Sequence, residues 1–205
     1  MTADAPERHV AVAAASVGGA ASALQAVFDA ARGIRHPLVL IDGPSGAGKS
    51  VLADALRAAW PGTPPALVRL DDVYPGWSGL ERAGRMLARS LVPPLRRGAV
   101  ASWRRWNWAR STPGVRERLH PGVSLIVEGC GAFAVAEGMP GAVHVWVDAP
   151  DALRKRRALD RDRGAYDPFW DLWERQWRRD VRRTSPERRA DVRVRARDAR
   201  TTVET

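Results

Sequence analysis

Cysteine, lysine and long apolar runs are what this chain has least of. Its 205 residues hold one cysteine, Cys130, which excludes an intrachain disulfide, a CxxC metal knuckle and a CxxC redox pair. Such sparse use points to a reducing, cytoplasmic setting. Of the 33 basic residues only Lys49 and Lys155 are lysine; the rest are arginine. With the heavy use of alanine, that skew reads as a bias towards arginine codons, so the net charge of +10 is discounted as evidence for nucleic acid. The basic excess still favours an anionic ligand. Val10 to Ala31 is apolar, but it is mostly Ala, Gly and Ser, and Gln25 and Asp29 interrupt it. Met1 to Arg8 carry Asp4 and Glu7, against the charge balance of a signal peptide. No membrane partner is expected.

What is present is the composition of an ordinary folded domain, 45% hydrophobic and 27% charged. A chain of this length buries roughly 70% of its unfolded surface and needs no disulfide or structural metal. Buried strands are expected at Pro37–Asp42, Ala66–Leu70, Val123–Val127 and Ala142–Val147, because apolar runs of this length suit strands covered on both faces, and a short last strand at Asp191–Arg195. Between them lie helical patterns at Ser16–Arg32, Ser50–Trp60, Gly79–Leu91, Asp151–Arg163 and Pro168–Arg183. Pro93-Pro94 is expected to stop the third helix, Gly164 to break the last two apart, and Val100–Trp108 to be extended. The alternation implies an α/β fold, a five-stranded parallel sheet with helices on both faces. Residues 1–36 would form an N-terminal helical segment packed on the core, 37–195 the main domain, and 196–205 a polar tail.

Gly43-Pro44-Ser45-Gly46-Ala47-Gly48-Lys49-Ser50 fits GxxxxGK[ST] in full, directly after a buried strand and directly before a helix. Glycines let successive N–H groups point inward at phosphate oxygens, and the helix N-terminus adds its positive end. Lys49 would reach the β- and γ-phosphates, the Ser50 hydroxyl would bind Mg²⁺, and Val51 would follow at the nucleotide's edge. Three strands also end in acids: Asp71-Asp72, Glu128 and Asp148. Ligands of open parallel sheets sit beyond those strand ends. Asp71 and Glu128 are therefore read as functional, and Asp148 as a turn or cap. The four histidines show no ligand spacing. A guanine-specific NKxD element is absent, which argues against a GTPase-like switch.

The phosphate loop, Leu70-Asp71-Asp72-Val73-Tyr74 and Val127-Glu128-Gly129 together resemble the uridine kinase and phosphoribulokinase group of small-molecule kinases. The resemblance covers most of residues 37–195 and implies a P-loop NTPase fold with a helical lid. It implies ATP and Mg²⁺ as cofactors and a small molecule bearing a hydroxyl as acceptor, a nucleoside such as uridine or cytidine first. It aligns Asp71 with the catalytic base, and Ser50, Asp71 and Glu128 with the residues around Mg²⁺. Tyr74 aligns with the acceptor pocket, and Asp72 is the alternative base if the register slips by one. Residues 73–112 would be the acceptor-binding insertion. There Trp106 and Trp108, on one face of an extended segment, either wall the acceptor pocket or pack a β-hairpin.

By the same resemblance 151–183 is the lid region, with Arg157, Arg161 and Arg163 towards phosphate and Gln176 towards the acceptor. The alternative for these arginines is a solvated helix held by pairs such as Arg156/Asp160. Phe169, Trp170, Trp173 and Trp177 recur at helical spacing, which marks a core stripe. Three departures leave uridine unfixed: Asn107 and Ser111 stand where the group carries Asp and His, and Pro75 to Gly79 lacks an acid for ribose hydroxyls. Other hydroxylated metabolites or an antibiotic are alternative acceptors. A nucleic-acid binder using alternating Arg and Trp, and a homo-oligomer, are the remaining possibilities the sequence allows.

Overall fold

The structure, a computed structural model, describes residues 20–137 and 139–195. The expected helix start at Ser16 and the polar tail 196–205 lie outside them. Five parallel strands form the main sheet: β1 (Leu38–Asp42), β2 (Ala66–Arg69), β5 (Leu125–Glu128), β6 (Ala142–Asp148) and β7 (Val192–Arg195), in the order β2-β5-β1-β6-β7. β1 is central, with Leu40 level with Val127 of β5 on one side and His144 of β6 on the other.

Because successive side chains point to opposite faces, β1 feeds two cores. Leu38 and Leu40 join Val68, Leu125 and Val127 beneath α3 (Leu80–Ser90) and α6 (Trp170–Thr184). Val39 and Ile41 join Ile126, Val143 and Val145 beneath α1 (Ala20–Ala30) and α2 (Lys49–Ala58). α5 (Asp151–Asp162) is seated at the seam, giving Leu153 to the second core and Ala158 to the first. The fold is therefore the expected α/β sheet with helices on both faces.

Two details differ from the sequence reading. The third helix ends at Ser90, before Pro93-Pro94 as expected, but a further short helix, α4 (Val92–Arg96), carries these prolines in its first turn. Proline is tolerated there because first-turn N–H groups have no partner inside the helix. The extended segment β3 (Ala101–Asn107) pairs with β4 (Thr112–Leu119), a strand to which the sequence reading gave no bounds, as a separate antiparallel ribbon of the hairpin kind held as an alternative. With Val115 largely exposed and Pro113, Gly114 and three charges in the segment, β4 has no apolar face to betray it.

Candidate active site

The phosphate loop is fastened at its first residue. Asp42, at the end of β1, accepts N–H bonds from Gly43 (2.7 Å) and Gly131 (2.8 Å) on Oδ1 and from Phe133 (3.0 Å) on Oδ2. It thus ties the loop after β1 to the loop after β5. Burial pushes its carboxyl up from 3.8 to about 6, against the lowering effects of those three bonds and of the Lys49 charge. Sequence reading passed over it as the last letter of an apolar strand, although it is a strand-end acid like Glu128.

This carries a pH prediction. The folded chain holds the Asp42 proton up to about pH 6, whereas the unfolded chain releases it near 3.8. Between those values the native state binds more protons, so stability falls as pH rises, by about 3 kcal/mol in all. Denaturant titrations at pH 4.5 and 7.5 should show the decline, and Asp42→Asn should remove most of it. A wild-type protein equally stable at both pH values, or a decline as large after the substitution as before it, would contradict the reading.

Two glycines of the loop cannot be replaced without moving backbone. A Cβ on Gly43 (φ +144°) would stand 1.9 Å from the Val147 carbonyl oxygen. One on Gly46 (φ +77°) would stand 1.9 Å from that of Arg154. The loop is thereby pressed between the end of β6 and the first turn of α5. That turn is anchored in turn: Arg154 is almost fully buried, its guanidinium bonded to Glu174 and Asp151 and lying over the rings of Trp170 and Trp177. Arg154 therefore locks α5 to α6.

Just past the loop, the buried Lys49 ammonium donates to the Pro44 carbonyl (2.8 Å) and lies 3.5 Å from Cys130 Sγ. Ser50 Oγ donates to Glu128 Oε1 at 3.0 Å. Burial raises the Glu128 carboxyl, with the Lys49 charge opposing it.

These groups open into a cavity of about 570 Å³. Of the expected residues, Ser45, Gly46, Gly48, Lys49, Ser50, Val51, Asp71, Tyr74, Trp108, Glu128, Arg157 and Arg161 line it. Gly43, Pro44 and Ala47 are the buried underside of the loop. Asp71 sits in a short 3-10 turn (Leu70–Asp72) at the end of β2, and its carbonyl accepts the Trp108 indole N–H at 2.8 Å. Arg161 is held by a two-pronged pair with Asp162, which raises its guanidinium above the ordinary range, and the Asp71 charge adds to this.

Four expected residues lie off this cavity wall. Asp72 is drawn to the ribbon by Arg105, 2.8 Å away. Trp106 and Trp108 are separated: β3 ends at Asn107 between them, and only Trp108 lines the cavity. Trp106 keeps its indole N–H buried with no hydrogen-bond partner among the described residues. Arg163 caps α5 in the left-handed conformation, exposed. Gln176 donates to the Trp77 carbonyl (2.7 Å) and so positions that tryptophan. In exchange the cavity gains Trp77, Cys130, Tyr166 and Trp173, which sequence reading did not assign to it. Trp173 does belong to the stripe read as core, and it is both: buried, with one side on the cavity.

Among the described residues no cluster of three or more His, Cys, Asp or Glu could hold a metal by itself. A P-loop site does not need one, since phosphate and water complete the shell around Mg²⁺. The hydroxyl–carboxylate pair of Ser50 and Glu128, directly after the glycine cradle, fits that arrangement. No helix among the described residues is long and apolar enough to cross a membrane.

No protein-family model matches the chain, and neither does any curated protein. Solved structures do. A "Possible Uridine Kinase" from Bacillus stearothermophilus is 16% identical with a TM-score of 0.58, over 85% of this chain and 98% of that one. A "putative fructose transport system kinase" from Silicibacter sp. TM1040 is 19% identical with a TM-score of 0.55 over the same shares. At such identities the likeness is one of fold, and the fold is the P-loop NTPase α/β fold that the sequence resemblance implied.

Proposed function

We propose that this protein is an ATP- and Mg²⁺-dependent kinase that transfers the γ-phosphoryl group to a hydroxyl of a small molecule, with a nucleoside as the first candidate acceptor and the cytoplasm as its setting. The observation that carries this is one cavity in which Lys49 and the Ser50–Glu128 pair share a wall with the Asp71 carboxylate. At Gly43 and Gly46 the glycine cradle behind them has no room for a side chain. Kinase-like neighbours of the same fold support it.

In this reading the loop amides and Lys49 hold the triphosphate. Mg²⁺, held by Ser50 with Glu128 and Asp71, would neutralise charge on the β- and γ-phosphates. Asp71 accepts the proton of the acceptor hydroxyl as that oxygen bonds to the γ-phosphorus and the bond to the β-phosphate oxygen breaks. Arg157 and Arg161 face the same space from α5, where cations stabilise charge on the transferring group and the closed lid excludes water. Gly164, with φ of +89°, follows α5 as a hinge for that helix.

ADP release from Mg-ATP, measured across nucleosides, pantothenate, sugars and hydroxylated antibiotics, tests the proposal. Acceptor-dependent ADP formation is expected with at least one class. A protein that binds Mg-ATP yet releases ADP at the same rate with every acceptor as with none would oppose it.

A further inference from the structure

Between Glu81 and Glu117 the chain runs for 35 residues, 82–116, without one aspartate or glutamate, and it holds nine arginines there. That stretch carries +9 of the net charge of +10. A bias towards arginine codons explains why these bases are not lysine, but not why acids are missing. All nine arginines are exposed. They are spread over α3, α4, the β3–β4 ribbon and the turns between them, and both helices pack against β3.

The ribbon gives part of this charge a defined face. Directly opposed residues of an antiparallel pair point the same way, and so do alternate residues along each strand. Ala101, Trp103, Glu117 and Leu119 form the inner face, with Ala101, Trp103 and Leu119 packed on the first core. The outer face is then Ser102, Arg104, Arg116 and Arg118.

Arg104 stands directly opposite Arg116, a like-charge pairing that destabilises a ribbon. Among the described residues no acid relieves it. Arg104 donates to the Gly114 carbonyl (3.1 Å) and Arg116 to Ser102 Oγ (3.3 Å), both neutral, and Arg118 has no ion pair. Arginines that hold the fold together do have acids, as Arg105 has Asp72 and Arg154 has Glu174.

What this face lacks decides what it can bind. It has no apolar side chain to bury in a lipid surface. Nor could it form the centre of a protein interface, where apolar groups gather and charges are depleted. It offers guanidinium forks of one sign, which pair with phosphate oxygens two bonds at a time. A two-stranded ribbon is also an element that the major groove of a duplex admits.

We propose that the outer face of the β3–β4 ribbon docks the phosphate backbone of a nucleic acid, held by Arg104, Arg116 and Arg118. This goes beyond the kinase reading and does not depend on it.

Fluorescence anisotropy tests it, with the full chain titrated into labelled oligonucleotides of about 20 nucleotides, single-stranded and duplex, over a range of salt. At least one form should bind at about 50 mM salt, with affinity falling as salt rises. The tighter of the two identifies the strand form that supplies the phosphates. The triple variant Arg104→Gln/Arg116→Gln/Arg118→Gln should lose about tenfold or more in affinity at that salt, and the slope of log affinity against log salt should flatten by about 2–3. Arg116→Gln alone should flatten it by about 0.7–0.9. Both variants should melt no lower than the parent, because each removes a like-charge contact. Arg175→Gln/Arg179→Gln/Arg182→Gln, which takes the same charge from exposed positions of α6, should change binding little. Failure of both oligonucleotides to bind the parent protein, an equal loss from the ribbon and α6 variants, or tighter binding of phosphatidylserine vesicles or polyglutamate than of either oligonucleotide would overturn the proposal.

Discussion

Asp71→Asn should bind Mg-ATP much as the parent protein does and turn over about 10²–10⁴ times more slowly, the range expected when a positioned proton acceptor is removed. The side chain lies on the cavity wall, exposed, at the end of β2, so the substitution takes away a charge and a base without opening the core. Asparagine keeps the size of the group and leaves the backbone carbonyl that receives the Trp108 N–H. Steady-state kinetics should show the loss in kcat, with KM for ATP little changed. Asp72→Asn is the natural comparison. That carboxylate is drawn towards the ribbon by Arg105, so its loss should leave turnover within a few-fold of normal. Near-normal turnover in Asp71→Asn, or a large loss confined to Asp72→Asn, would assign the base wrongly.

Lys49→Ala should lower turnover about 10²–10³-fold, as removal of one charged or hydrogen-bonding clamp on developing charge commonly does. Its ammonium is buried against the Pro44 carbonyl and Cys130, at the head of α2 and beside Glu128. Among the described residues no carboxylate lies at hydrogen-bond distance from it, and its two partners there are a carbonyl and a thiol. Phosphate oxygens would supply the anionic partner, and the bonds would be charge-assisted and stronger than those it now makes. Nucleotide affinity should therefore fall along with kcat, in contrast to Asp71→Asn. A Lys49→Ala protein with undiminished turnover would contradict the assignment.

Much of this site could be read in the sequence, for a physical reason. A phosphate cradle is local: eight consecutive residues, a strand before and a helix after, need no long-range information. The strand-end acids were legible on similar grounds, because a parallel sheet gathers the ends of its strands at one edge. What could not be read was settled by contacts distant in sequence. Asp42 looks like the end of an apolar run until Gly131 and Phe133 supply its donors from 89 and 91 residues away. Gln176 has an acceptor's chemistry, yet Trp77, 99 residues off, claims its amide. Arg154 is one cation in a row of similar ones, and only Glu174 with two tryptophan faces makes it the buried anchor. Trp106 and Trp108 fall on either side of the end of β3 at Asn107, beyond which period-two reasoning no longer applies.

The aromatic residues of the cavity show the same limit. Tyr74 and Trp108 were legible through the resemblance, whereas Trp77, Tyr166 and Trp173, from other positions in the chain, each taken singly fit an ordinary packing role. Their assembly around one cavity is a property of the fold.

The most direct measurement is titration calorimetry of the purified, folded protein with ATP in the presence of Mg²⁺. The account expects saturable binding at one nucleotide per chain, weakened in Lys49→Ala. A folded protein that gives no binding heat with ATP or GTP across temperatures and magnesium concentrations would contradict it at its root.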